Sequence, residues 1–189
     1  MTSKQNPALD QIRKAKLLFA SGQIRESIKQ FTLAENEGYE LVDIWLSRGA
    51  ALLALGHYKS AEKDFSNVLE VQQDNERAYY YRGIARAGQG LHQKAIGDLT
   101  ASLSRNNNRG IAHLIRGLSY AELGNRSDAV LDINSAGAFS DAELDSFAKL
   151  FGIIGHPFRN ARALLAEENA PWNNLLDRSS AEKLMKLLN

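Results

Sequence analysis

The stretch Val42–Asn75, VDIWLSRGAALLALGHYKSAEKDFSNVLEVQQDN, decides the fold. It reads as two helices joined by a tight turn at Gly56, and its chemistry recurs on both sides at one interval. Gly49, Gly83 and Gly117 are spaced by 34 residues, and Gly56, Gly90 and Gly124 keep the same step, as do Ala61, Ala95 and Ala129. A fixed internal period of this size is the signature of a stacked array, in which each unit buries its apolar face only against its neighbours.

The repeated residues say how a unit packs. A glycine in mid-helix costs about 1 kcal/mol relative to alanine, so its return at one phase needs an offsetting gain. Gly49 and Ala61 on facing helices let two backbones approach closely, and Phe65 fills the space beside them. Gly56, Gly90 and Gly124 end the first helices, where a left-handed residue suits the turn. A second ladder runs alongside. Arg48, Arg82 and Arg116 precede the helix glycines, and Asp64, Asp98 and Asp132 follow 16 residues later. A cation on each first helix and a matched acid on each second helix predict an ion pair inside the unit that sets register. The competing reading is a basic strip for an anionic ligand, and the matched recurrence of Asp speaks against it.

Within one unit the skeleton runs Trp45, Gly49, Gly56, Tyr58, Ala61, Phe65. This resembles the tetratricopeptide repeat (TPR), whose pattern is W…LG..Y…G.Y..A…F…A…P at the same period. The resemblance implies an all-α, TPR-type solenoid of about four antiparallel helix pairs, with a concave face that binds protein segments. Units are expected at 8–41, 42–75, 76–109 and 110–143. The first is a degenerate copy, with Ala15 for the helix glycine and Ser27 for the small alanine, as terminal repeats usually are. The proline expected at unit junctions is replaced by Tyr39, Gln73, Asn107 and Asp141, which predicts less rigid junctions. Asn6-Pro7 should start the first helix, and Gly38 should end the second.

After Glu143 the period fails. Capping boxes at Ser140–Glu143 and Ser179–Glu182, with breaks at Gly155-His156-Pro157 and Ala170-Pro171-Trp172, predict about three helices over 144–189 that cap the last unit.

Whole-chain properties narrow the function. A net charge of +1 gives no broad field for nucleic acid or an anionic membrane. With no cysteine, disulfides, thiolate metal sites and thiol nucleophiles are excluded. No apolar run is long enough for a signal peptide or a membrane span, so a cytoplasmic protein is expected. His57, His92, His113 and His156 are not in ligand-type spacings. Neither G-x-S-x-G, nor a P-loop, nor a dinucleotide fingerprint occurs. No enzyme and no cofactor are therefore expected; the alternative from another class is an RNA- or metal-dependent enzyme.

The candidate binding residues come from helical phase. Beside the packing stripe of each first helix runs another, turned about a third of a circle away. It holds Leu9, Ile12, Lys16 and Phe19; Asp43, Leu46, Ala50 and Leu53; Arg77, Tyr80, Ile84 and Ala87; and Ile111, Leu114, Leu118 and Ala121. The expected site is a mostly apolar groove of Ile12, Lys16, Phe19, Asp43, Leu46, Ala50, Leu53, Arg77, Tyr80, Ile84, Leu114 and Leu118, open to a protein or peptide partner. Soluble monomers rarely leave such a surface bare. Some TPR cochaperones grip a C-terminal carboxylate with Lys and Asn. Here Lys16 and Arg77 are the only basic residues of the set, no Asn joins them, and Asp43 would repel the ligand. Groove character instead resembles that of secretion chaperones and assembly factors. Two rival occupants are the chain's own Leu184, Met185 and Leu188, or the C-terminal helices of a second copy, which would make a homo-oligomer. If the groove is open, Asp at Tyr80 and Leu114 should abolish capture and leave melting unchanged.

Overall fold

Each 34-residue period is broken twice, once at a glycine and once at a polar junction, and helices fill the spans between. The computed structural model describes residues 7–39 and 41–137. In order these form α1 (Pro7–Ala20), α2 (Ile24–Asn36), α3 (Leu41–Ala54), α4 (Tyr58–Val71), α5 (Glu76–Gly88), α6 (His92–Leu103), α7 (Gly110–Glu122) and α8 (Arg126–Gly137). The architecture is an all-α solenoid of helix pairs, with no strand among the described residues. The capping helices expected over 144–189 lie outside the described residues.

Gly22, Gly56, Gly90 and Gly124 join the two helices of each pair at φ of +79°, +71°, +74° and +77°. That conformation costs an L-residue roughly 1–2 kcal/mol, which glycine avoids. The junctions between pairs differ: a side-chain cap starts α5, whereas Arg109 before α7 makes none. Asn75 Oδ1 accepts the backbone N–H of Ala78 at 2.9 Å and so starts α5, a contact worth about 1 kcal/mol.

Each described helix packs on the helices next to it in the chain, and the first helices also touch one another, α1 with α3, α3 with α5, and α5 with α7. No pair of second helices makes comparable contact among the described residues. The array therefore curls with the first helices inside. Interior packing follows the glycine ladder. A Cβ on Gly49 would lie 2.6 Å from the Phe65 ring, one on Gly83 2.7 Å from Leu99 Cγ, and one on Gly117 3.0 Å from Asp132 Cβ. Successive units interlock as well. Ile44 of the second unit is buried in the first unit's cluster with Ile12, Ala15, Phe31 and Ala34, while a larger continuous core runs through the second to fourth units. One close approach has no counterpart in the period: Gly88 of α5 takes the Tyr58 ring of α4, and a Cβ there would lie 2.6 Å away.

Gly83→Leu tests this packing. Its Cβ would meet both the Leu99 side chain and the Leu99 backbone nitrogen at 3.3 Å, and backbone cannot yield as a flexible side chain can. Urea denaturation should show a loss on the order of 1–3 kcal/mol. A variant that unfolds at the parent's midpoint would show that α5 and α6 do not meet at Gly83.

Candidate protein-interaction surface

In the second, third and fourth units a matched charge pair is used inside the helix pair. Arg48 donates from Nε and Nη2 to the two carboxylate oxygens of Asp64, both at 2.8 Å. Arg82 makes the same two bonds to Asp98 at 2.9 and 2.8 Å, and Arg116 to Asp132 at 2.6 and 2.7 Å. The three aspartates are buried. These arginines are therefore committed to register, as the matched recurrence predicted, and form no basic strip.

Each arginine also reaches back to the preceding pair. Nη1 of Arg48, Arg82 and Arg116 donates to the hydroxyls of Thr32, Ser66 and Thr100, at 3.4, 3.3 and 3.0 Å. Those hydroxyls recur at the same 34-residue step, so the signal was present in the sequence and the reading above passed over it. At the first junction the link is stronger. Glu35 of α2 accepts from Arg48 through both Nη1 and Nη2 and from Trp45 Nε1 at 2.7 Å. The Arg48 hydrogen bond holds the Glu35 carboxyl below its usual range. Burial pushes the Asp64 carboxyl up, and the adjacent Arg48 offsets that only in part. The hydrogen bond to Asp64 raises Arg48 further still, so the guanidinium stays charged.

The inner face is graded along its length. Among the candidate groove residues, Lys16, Asp43 and Arg77 are exposed, Phe19 and Ala50 are half-buried, and Ile12 is buried. Leu46, Leu53, Tyr80, Ile84, Leu114 and Leu118 are buried too, Tyr80 at 6% exposure and Leu118 at 1%, and all six belong to the larger core. The exposure expected of these six is not found. Helical phase placed them on one stripe but could not say what packs over it. An acid at Tyr80 or Leu114 would be buried in the core, so those changes would disturb the fold as well as any capture.

What remains accessible lies toward the first units. Leu9 is 54% exposed, and Lys16 Nζ pairs with Asp43 Oδ2 at 3.2 Å across α1 and α3. Farther along, the α6–α7 connection is pinned onto α5. Arg109 donates to both carboxylate oxygens of Glu76, at 2.5 and 2.7 Å, and its guanidinium lies 4.4 Å from the centre of the Tyr80 ring. Arg105 lies over Tyr79 at 4.9 Å. The aromatic most central to the stripe is thus covered from within the chain. The rival occupants Leu184, Met185 and Leu188 lie outside the described residues. No group of three or more potential metal-binding side chains occurs among the described residues, and no helix among them is long and apolar enough to cross a membrane.

Comparison with known proteins bears on the fold. Residues 46–107 match the family model for the tetratricopeptide repeat. Among solved structures, MamA from Desulfovibrio magneticus RS-1 superposes with a TM-score of 0.67 at 18% identity, covering 98% of this chain and 96% of that one. TTC0263, a thermophilic TPR protein of Thermus thermophilus, gives 0.59 at 21% identity over 94% of this chain and 99% of its own. YrrB, described as a TPR protein with an unusual peptide-binding site, gives 0.62 at 22% identity over 71% and 70%. No curated protein sequence matches.

Two measurements check the charged rungs. Arg82→Met alone leaves Asp98 as a buried acid short of its main partner and should cost stability, while adding Asp98→Leu should recover part of the loss. Additive losses in that double-mutant cycle would mean the two side chains do not interact. The second concerns acid. Glu35 is held below its ordinary value of 4.5, so its stabilisation is full above that pH and is lost as pH falls through its folded pKa. Asp64, held above its own ordinary value, acts in the opposite direction. Melting temperature followed from pH 7 to 3 should therefore fall less steeply in Glu35→Gln than in the parent. Parallel curves would show that Glu35 gains nothing from Arg48.

Proposed function

Taking the chain as a tetratricopeptide-repeat protein, we propose that it is a protein-interaction module, working as an adaptor, scaffold or chaperone that holds an extended partner segment along the inner face of its first helices. It performs no reaction in this reading, needs no cofactor, and works in the cytoplasm, where the absence of cysteine is no handicap. The supporting observation is the accessible strip across α1, α3 and α5. Lys16, Asp43 and Arg77 stand exposed on successive helices, with Leu9, Phe19 and Ala50 beside them. Rigid helices present these groups in fixed positions, which lowers the ordering cost of capture. Apolar contact with Leu9, Phe19 and Ala50 would supply the affinity, and the three charges would set orientation.

Leu46, Leu53, Tyr80, Ile84, Leu114 and Leu118 then act as the wall that holds this strip, and they meet a partner only where the wall opens. YrrB, whose description includes a peptide-binding site, is a precedent for peptide capture on such an array. The net charge of +1 offers nothing to nucleic acid.

Screening an immobilised library of extended apolar peptides against the intact protein tests this. Lys16→Glu combined with Arg77→Glu should weaken capture on the order of tenfold while melting stays within about 0.5 kcal/mol of the parent, since both side chains are exposed. Capture that survives the double reversal would move the site off the inner face. Capture only of peptides from the chain's own C-terminal region would favour the self-associating scaffold.

A further inference from the structure

Each of α3, α5 and α7 packs between two second helices, and the outer space over α3 and α5 is not filled alike. Over α5, Arg86 crosses the groove from α4 to α6. Its Nε donates to Glu62 Oε1 at 2.7 Å and its Nη1 to Asp98 Oδ2 at 2.8 Å. Asp98 thus has three contacts, two from Arg82 and one from Arg86. Asp132 also has three, two from Arg116 and one with His113 Nδ1 at 3.0 Å. Asp64 has two, both from Arg48. The residue one period before Arg86 is Leu52, and the one a period after is Tyr120. Leucine cannot cross. Over α3 the groove stays open as a cleft of about 330 Å³, lined by Ile28, Glu35, Arg48, Leu52, Lys63, Asp64 and Asn67 among others, with Arg48 paired to both carboxylates.

We propose that this cleft receives an arginine side chain of a partner protein, lying where Arg86 lies in the next groove. Ile28 and Leu52 form an apolar floor for the methylene stem, as arginine stems commonly cover apolar surface. The guanidinium supplies Asp64 with the third donor that its two counterparts already have. Glu35, already bonded to Arg48 and Trp45, stands at the same cleft as a second carboxylate, where the next two units place Leu69 and Leu103. Lys63 at the exposed rim opposes any cation that arrives as a simple point charge. Attraction must then come from directional hydrogen bonds, and these favour a planar guanidinium over an ammonium. The cleft lies on the outer side, so the inference is independent of the inner-face strip.

Titration of the isotopically labelled full chain with N-acetyl-arginine methylamide, followed by NMR, tests the site, with the lysine and tyrosine analogues as comparisons. Shifts should centre on Ile28, Leu52 and Asn67, with arginine binding on the order of tenfold tighter than lysine. Leu52→Arg should fill the cleft from within the chain and remove those shifts; because Leu52 belongs to the buried core, circular dichroism checks that the variant stays folded. The probe series on the parent decides the matter even where that variant folds poorly. Three results would overturn the proposal: shifts that are absent or lie elsewhere, lysine binding as well as arginine or tyrosine better, and undiminished arginine binding by a folded Leu52→Arg.

Discussion

The buried bidentate contact between Arg48 and Asp64, repeated as Arg82–Asp98 and Arg116–Asp132, is the constraint on which the array depends. Taking both charges out of water costs several kcal/mol per ion, and good geometry recovers about as much. The net gain from each rung is therefore small. Its value lies in the alternatives it removes. A helix pair slipped by one residue would bury two ions facing the wrong groups, and that penalty is large. Because Nη1 of each arginine also reaches a hydroxyl on the preceding second helix, the same residue fixes a unit internally and sets it against its neighbour.

Glycine and the rung act on the same helix pair and need each other. Gly83 lets α6 come close enough for Leu99 to sit over the α5 backbone, and only at that separation can adjacent Arg82 reach Asp98 in the fork geometry seen. A larger residue would push the helices apart and lengthen the rung. Close approach inside the pairs, with contact between successive first helices, also brings α1, α3, α5 and α7 side by side. The inner face is a consequence of packing that occurs behind it.

Most of this framework was legible in the sequence because it repeats. Gly49, Gly83 and Gly117 could not share a phase by accident of composition, and an Asp 16 residues after each Arg favoured a pair over a ligand site. Thr32, Ser66 and Thr100 share the period yet escaped notice, because hydroxyl residues are common on helices and nothing marks one as a partner. The Tyr58–Gly88 contact could not have been found by period, since Ala54 and Glu122 stand at the positions equivalent to Gly88. The inner face shows the deeper limit. Helical spacing says that Asp43, Leu46, Ala50 and Leu53 share a stripe, but exposure depends on what packs over the stripe, and that is a tertiary fact. Leu46 and Leu53 are buried while Asp43 stands in solvent.

Positions that repeat hold the array, which leaves the non-repeating ones to distinguish one unit from the next. Leu9, Asp43, Arg77 and Ile111 occupy one position in the four units, and they run from an exposed leucine through two exposed charges to a residue 1% exposed. Leu52, Arg86 and Tyr120 vary in the same way on the outer side, and the space over α3 stays open where Arg86 bridges α4 and α6 over α5. Three copies of one framework and a degenerate first unit therefore present four different surfaces. Substitution at those positions leaves the rungs and glycines untouched, so surface chemistry can change while the fold stays fixed. The first three units keep that variation accessible, and the last turns its stripe into core.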